Sequence, residues 1–295
     1  MKKKKNQWKY KEWISGYLFL LPALIFFLGF VVYPMIKGIY LSFFDYTATQ
    51  YRFIGLENYR ILFHDSIFKK SLWNTIIIVI CTVPLVVVFS LFISIIIYNK
   101  SSFTRSFYRA AFYLPTISSI VTISVIWSWI YHPTYGILNY LTSLFGIKPI
   151  SWLGHEKFAL PALILVIFTT AVGQPIILYI AALGNVPRAY KEAAAIDGAT
   201  RWQQFKHITW PLIMPTSLYI IIITTINSFQ TFGVVQLLSG GGPMYRTSTV
   251  LFQLYQTAFQ FQNFGIASAM GIILAIIAIF ISILQFKYFS SDVEY

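Results

Sequence analysis

Side chains able to act as acids, bases, nucleophiles or metal ligands are scarce in this sequence and stand apart from one another. Nine Asp and Glu, four His and one Cys are spread over 295 positions. His64, His132, His155 and His207 have no Cys, His or carboxylate neighbours at ligand spacing, which argues against a metal site. Cys81 lies inside an apolar run, so there is neither a disulfide framework nor a thiol cluster. Glu192 and Asp197 are near enough in sequence to consider together, but helix capping and contact with a partner account for both. No nucleophile and base stand out as a pair, so no catalytic residue is assigned.

Binding chemistry is the better prospect. Gly173, Gln174 and Pro175 interrupt one long apolar run, and Asn227 and Gln230 lie three apart in another, beside Thr231 and Phe232. An amide in such a run is costly unless it faces a partner or a cavity. Two roles fit Gln174, Asn227 and Gln230: hydrogen bonds that hold helices together, or convergence on a cavity at a helix break. Ser268, Met270 and Trp127 also fall where a pathway would run, with packing or lipid contact as the simpler reading. Trp8, Trp13, Trp129 and Tyr131 fit an aromatic belt at a membrane surface.

Composition sets the elements that must position these residues. The chain is 57% apolar and 11% charged, where a soluble domain carries about 25% charged residues. Apolar runs of about 20 residues recur, the length that crosses a hydrocarbon core in which backbone groups must bond internally. The expectation is an all-α polytopic membrane protein with about six spans, near 15–36, 75–98, 111–131, 158–183, 213–238 and 267–288. A basic segment 1–14 precedes this membrane domain of 15–290, and a tail 291–295 follows it. The first run is too long for a usual signal-peptide core and lacks a small-residue cleavage site, so it reads as retained. Pro22, Pro34, Pro84, Pro115, Pro161 and Pro175 predict kinks.

The net charge of +13 raises nucleic acid as a partner. Its lysines and arginines, however, sit in short clusters between apolar runs and form no single face, so nucleic acid is set aside. Membrane orientation explains them. The amino-terminal lysines, Lys100, Arg105 and Arg109, and Arg188, Lys191, Arg201 and Lys206 fall on one side, which places both termini in the cytoplasm. The lysine run at the start suits lipid headgroups.

The cytoplasmic stretch 185–211 reads as two short helices. Asn185 is placed to cap the first, with Pro187 in its opening turn and Asp197-Gly198 as its stop. Thr200 and Gln203 form a capping-box pattern that starts the second, and Pro211 ends it. Ala189, Ala193 and Ile196 share one face; Trp202, Phe205 and Ile208 share another. Neither helix is long enough to span a bilayer. Slim alanines and the single charge of Glu192 suit an element that enters a partner's cleft, although a loop lying on headgroups gives the same spacing.

The order Glu192-Ala193-Ala194, Gly198, Ile208, Pro211 resembles the signature loop of binding-protein-dependent ABC importer permeases, their EAA motif. Trp210 stands where a leucine commonly precedes the proline. Ser42-Phe-Phe-Asp45, Phe53-Ile-Gly-Leu-Glu-Asn-Tyr59, Asp65, Phe68 and Asn74-Thr75 look like the carbohydrate branch and its maltose-type larger permease subunit. So do Gly241-Gly242-Pro243, Thr247 and Gly265-Ile-Ala-Ser-Ala269.

What the resemblance implies is a permease in a bacterial cytoplasmic membrane, working by alternating access with a second permease subunit, two ATP-binding subunits and an external solute-binding protein. Glu192, Ala193, Ala194, Asp197, Gly198, Ile208 and Pro211 become the ATPase-coupling loop. Gln174, Asn227, Gln230 and Phe232 become the pathway of a carbohydrate substrate. ATP and Mg belong to the partner subunits; the cluster Gly240-Gly241-Gly242 lacks the lysine of a phosphate loop. No Arg or Lys falls in the middle of the fourth or fifth run, which favours a neutral oligosaccharide over glycerol phosphate as cargo. A stand-alone ion-coupled carrier is the alternative, and runs almost free of ionisable residues count against it.

Overall fold

Long runs of Ile, Leu, Val and Phe leave the backbone one way to bond all its polar groups within lipid, and the computed structural model, which describes residues 2–289, is accordingly helical. The expected tail 291–295 lies outside the described residues. Helix α1 covers residues 2–41, with a π-turn at Leu28–Val32. A short antiparallel hairpin, β1 (Phe44–Tyr46) and β2 (Tyr51–Phe53), pairs Phe44 with Phe53. Then come α2 (Glu57–His64), α3 (Ser66–Tyr98), α4 (Ser102–Ile117), α5 (Ile120–Ile130) and α6 (Ile137–Ser143). They are followed by α7 (Ala159–Ala171), α8 (Gly173–Asn185), α9 (Arg188–Ile196), α10 (Arg201–Phe229), α11 (Val250–Tyr255) and α12 (Phe264–Phe289). Four helices are long and apolar enough to cross a membrane, or six if the bent pairs α4–α5 and α7–α8 each count as one span.

Three local expectations are corrected. The run 111–131 is not one helix: α4 and α5 meet at 100°, because Ser118 and Ser119 adopt extended backbone and Ser119 caps α5. The run 213–238 is broken after Phe229, and Thr231 and Phe232 lie outside any helix. Tyr131 does not belong to a surface belt, since it is buried and its hydroxyl donates to the Ala162 carbonyl at 2.9 Å. Trp13 and Trp129 are exposed as a belt requires.

Helices α8 and α10 pack on α3, α12 packs on α10, and α4 packs on α8. Small residues allow the close approach. Ser90 and Ser94 on α3 are fully buried, and Ser94 donates across to the Ile176 carbonyl of α8 at 3.0 Å. Gly173 sits where α7 turns by 45° into α8, and a Cβ there would lie 2.5 Å from both the Phe112 carbonyl and the Thr116 hydroxyl of α4. Gly173→Val should therefore push α4 and α8 apart at a cost of about 1–3 kcal/mol or more from overpacking. A clear drop in the detergent-solubilised protein's melting temperature checks it.

Two sequence patterns turn out to be clasps. Asn58 on α2 donates to the Ser42 and Phe44 carbonyls, both at 2.8 Å, while the Tyr59 hydroxyl donates to Ser42 at 2.8 Å. Together they hold the hairpin onto the end of α1. Gly265 opens the way for α12 beneath it, since a Cβ there would collide with the Phe44 carbonyl.

Candidate functional site

The local geometry of a helix start, rather than a long apolar face, shapes the segment between α8 and α10. Asn185 is the last residue of α8 and not the cap of α9; Pro187 occupies that position, with no side-chain bond, because the chain turns through extended Val186. Helix α9 ends at Asp197, and Gly198 follows with φ of +79°, a conformation in which any side chain is strained. The Ala199 N–H donates back to the Ala194 carbonyl at 2.9 Å. Thr200 and Gln203 form the reciprocal box, with bonds of 3.3 and 2.8 Å, and the Gln204 amide donates to the Ala199 carbonyl at 2.9 Å. The turn is thus fixed by its own bonds.

Pro211 does not end the second helix. A π-turn at Phe205–Thr209 lets the Trp210 N–H bond to the Phe205 carbonyl five residues back, so Pro211 falls at the first turn of a new α segment where no donor is needed. The helix continues to Phe229. This continuity joins the turn at Gly198 directly to a helix of membrane-spanning length. Ile208 and Trp210 pack into a core around Tyr179 and Leu183 of α8 and Ile213 of α10. On the other side Lys191 lies 5.8 Å from the Tyr98 ring at the end of α3, which Arg105 also approaches at 6.0 Å.

The outward surface of this segment is bare. No residue of α9 is buried; Glu192, Ala193 and Asp197 are exposed and Ala194 is half-buried. Ile196 is 87% exposed and Trp202 70%, so two large apolar side chains stand uncovered on the segment that carries Glu192 and Asp197.

The other predicted residues meet elsewhere. Gln174, Asn227, Gln230 and Phe232 line one partly open cavity of about 280 Å³, together with Thr116, Ile120 and Thr170 among others. Gln174 projects from the first turn of α8 and Asn227 from the last turn of α10, while Gln230 and Phe232 come from the break after α10. The three amides are exposed, and their side chains bond to no other described residue. Interhelical bonding in this protein is done instead by Ser94, Thr116 and Gln285, whose donors reach Ile176, Thr170 and Thr225 at 3.0, 2.9 and 2.8 Å. The amide donors and acceptors are therefore open to a ligand. Among the lining residues none is Asp, Glu, Lys, Arg or His, so the cavity is polar but uncharged.

Sequence reasoning placed Thr231 beside the amides but missed Thr116, Thr170 and Thr224 in this wall. Their signal, a threonine in an apolar run, is the same as that of Thr82 or Thr225, which do not share it. Met270 and Trp127 pack into cores, and Ser268 is half-buried. No cluster of three or more His, Cys, Asp or Glu side chains occurs among the described residues.

Residues 63–294 match the family of binding-protein-dependent transport system inner membrane components. This chain belongs to that family. The permease is 33% identical over 281 residues, 94% of this chain and 95% of its relative, to the Multiple sugar-binding transport system permease protein MsmF of Streptococcus mutans. Its fold matches that of a permease chain in a bacterial ABC transporter that imports the acidic polysaccharide alginate, with TM-score 0.82, 26% identity, and coverage of 98% and 100%. A second structure, of a bacterial alginate ABC transporter in complex with an alginate pentasaccharide-bound periplasmic protein, aligns with TM-score 0.80 and 28% identity over 94% and 93%. The permease is thus an all-α, multi-pass inner-membrane transport component, with relatives named for transport of sugars and, at 29% identity, of sn-glycerol-3-phosphate.

Proposed function

We propose that this permease is one membrane subunit of an ATP-driven carbohydrate importer, paired with a second permease and served by two ATP-binding subunits and an external solute-binding protein. What carries the reading is the bare surface of α9, whose following turn is fixed by its own hydrogen bonds and which joins the two helices, α8 and α10, that also present the cavity amides. The Glu192–Gly198 face docks in a cleft of an ATP-binding subunit. ATP and Mg²⁺ stay on that partner. Closure of the ATPase pair tilts α9 and α10 as a lever, and the cavity exchanges outward for inward access. Both termini lie in the cytoplasm of a bacterium, in keeping with the excess of Lys and Arg on that side.

A volume of about 280 Å³ is small against the roughly 300–1,000 Å³ of ordinary ligand pockets. A second permease supplies the remaining wall. The cargo is a neutral oligosaccharide, because amides and hydroxyls match its hydroxyl groups and no cation awaits a phosphate or carboxylate. The alginate-importing relatives give the opposing case, an acidic saccharide.

Purification of the tagged permease from its native membrane in mild detergent, with mass spectrometry of what accompanies it, tests the assembly. A second permease and an ATP-binding protein are expected in fixed ratio. Recovery of the permease alone, under conditions that preserve a known ATPase complex, would return the weight to an autonomous carrier.

A further inference from the structure

The break after α10 is the least self-supporting part of the cavity wall. Helix α10 ends at Phe229, Gln230 caps it, and Thr231 and Phe232 belong to no helix, yet all three residues from Gln230 to Phe232 line the cavity. A carbonyl at a helix end lacks its ladder partner and must find another. For Thr231 that partner is the hydroxyl of Thr249, which donates to its carbonyl at 2.8 Å. Thr249 is fully buried and comes from eighteen residues further on, at the start of α11. The same hydroxyl accepts the Phe252 N–H at 3.3 Å, so Thr249 is held as the cap of α11 while it holds the wall.

Thr249 is in turn the inner end of the external loop. Thr247, Ser248 and Thr249 are each wholly buried. Asn74 of α3 donates to the Tyr245 and Ser248 carbonyls at 2.8 and 2.9 Å, and Ser71 donates to Ser248 at 2.9 Å. The Thr247 hydroxyl donates to the Gly242 carbonyl at 2.6 Å and the Lys70 ammonium to the Met244 carbonyl at 2.6 Å. At the tip, Met244 and Tyr245 stand exposed with φ of +46° and +61°, a region that non-glycine residues occupy only under constraint. A constrained tip, a bonded root and a single hydroxyl on the cavity wall form one connected structure.

We propose that Thr249 is a positioning residue of the transport cavity: its hydroxyl fixes the unwound wall Gln230–Phe232 and ties that wall to the external loop 240–248. It rests on the reading of the cavity as the cargo's passage. Without the hydroxyl the wall carbonyl is left buried and unpaired, and the wall opens more often.

The test needs no cargo. Phe232→Cys in a Cys81→Ser background, assembled in native membranes, is labelled with a water-soluble methanethiosulfonate, and Leu178→Cys on the opposite wall serves as the control. Thr249→Val should raise the labelling rate at position 232 about tenfold, the population shift expected for one buried hydrogen bond. Thr249→Ser, which keeps both the donor and the cap, should restore the parental rate. Position 178 should not respond. Equal rates in the Thr and Val chains would overturn the proposal, as would equal acceleration at 178, which is general loosening. If Thr249→Val does not accumulate, Thr249→Ala reads the same rates without the added methyl. Failure of the passage reading itself would appear elsewhere, in cargo uptake by cavity variants.

Discussion

Gly198→Asp is expected to lower ATP-driven import by about 100-fold or more while the permease still accumulates in the membrane. Nothing lies within 4 Å of a Cβ built at Gly198, so no packing is lost in the chain itself. The backbone strain at φ +79° costs about 1 kcal/mol, as Gly198→Ala would measure alone. Aspartate adds a carboxylate to a surface that must leave water, beside Glu192 and Asp197. Burying an unpaired charge costs several kcal/mol, and each 1.4 kcal/mol is a factor of ten, which sets the expected loss. Glu192→Ala removes one charged contact and should cost roughly tenfold, near the 1.5–3 kcal/mol of a charge-assisted bond. Uptake into proteoliposomes with the partner subunits and the cognate binding protein reads both. Wild-type import by a normally assembled Gly198→Asp complex would remove the docking role and leave α9 as a surface helix.

The turn after α9 was legible because its signals are local. A positive φ asks for glycine, a helix start asks for Thr200 with Gln203, and both requirements are written within a few residues. Where a signal depends on a register change, the sequence misled. Pro211 ends a helix if the ladder is α throughout, and a π-turn one residue earlier removes the conflict. The 100° bend at Ser118-Ser119 was hidden for a related reason: serine is tolerated in an apolar helix and is also a good cap, and tertiary packing decides which. Tyr131 illustrates the same limit. An amphipathic ring near a span end suits the membrane surface or a buried bond equally, and only the Ala162 carbonyl makes the second available. Of the cavity, the amides were visible as costly exceptions in apolar runs. The bond that fixes Thr231 was not, because it depends on a partner eighteen residues away.

Replacing Gln174 and Asn227 together by Leu should raise the KM for import roughly 10- to 100-fold with the saturated rate changed far less. Each amide offers a neutral ligand hydrogen bonds worth about 0.5–1.5 kcal/mol apiece, and leucine leaves the cargo's hydroxyls unpaired as well. The two sites face one cavity from different helices, so a double-mutant cycle should show coupling only if a single bound cargo spans both. The sign of a charge substitution separates the cargo classes. Asn227→Lys places a cation in a cavity that has none. For a neutral oligosaccharide that charge has no partner, and uptake of maltopentaose or a similar chain should fall by an order of magnitude or more. For a uronate or phosphate cargo the same lysine gains an ion pair, and KM should drop instead. Gln174 and Asn227 bind cargo only if the leucine pair moves KM; a shift confined to turnover would assign them to the opening and closing of the bundle.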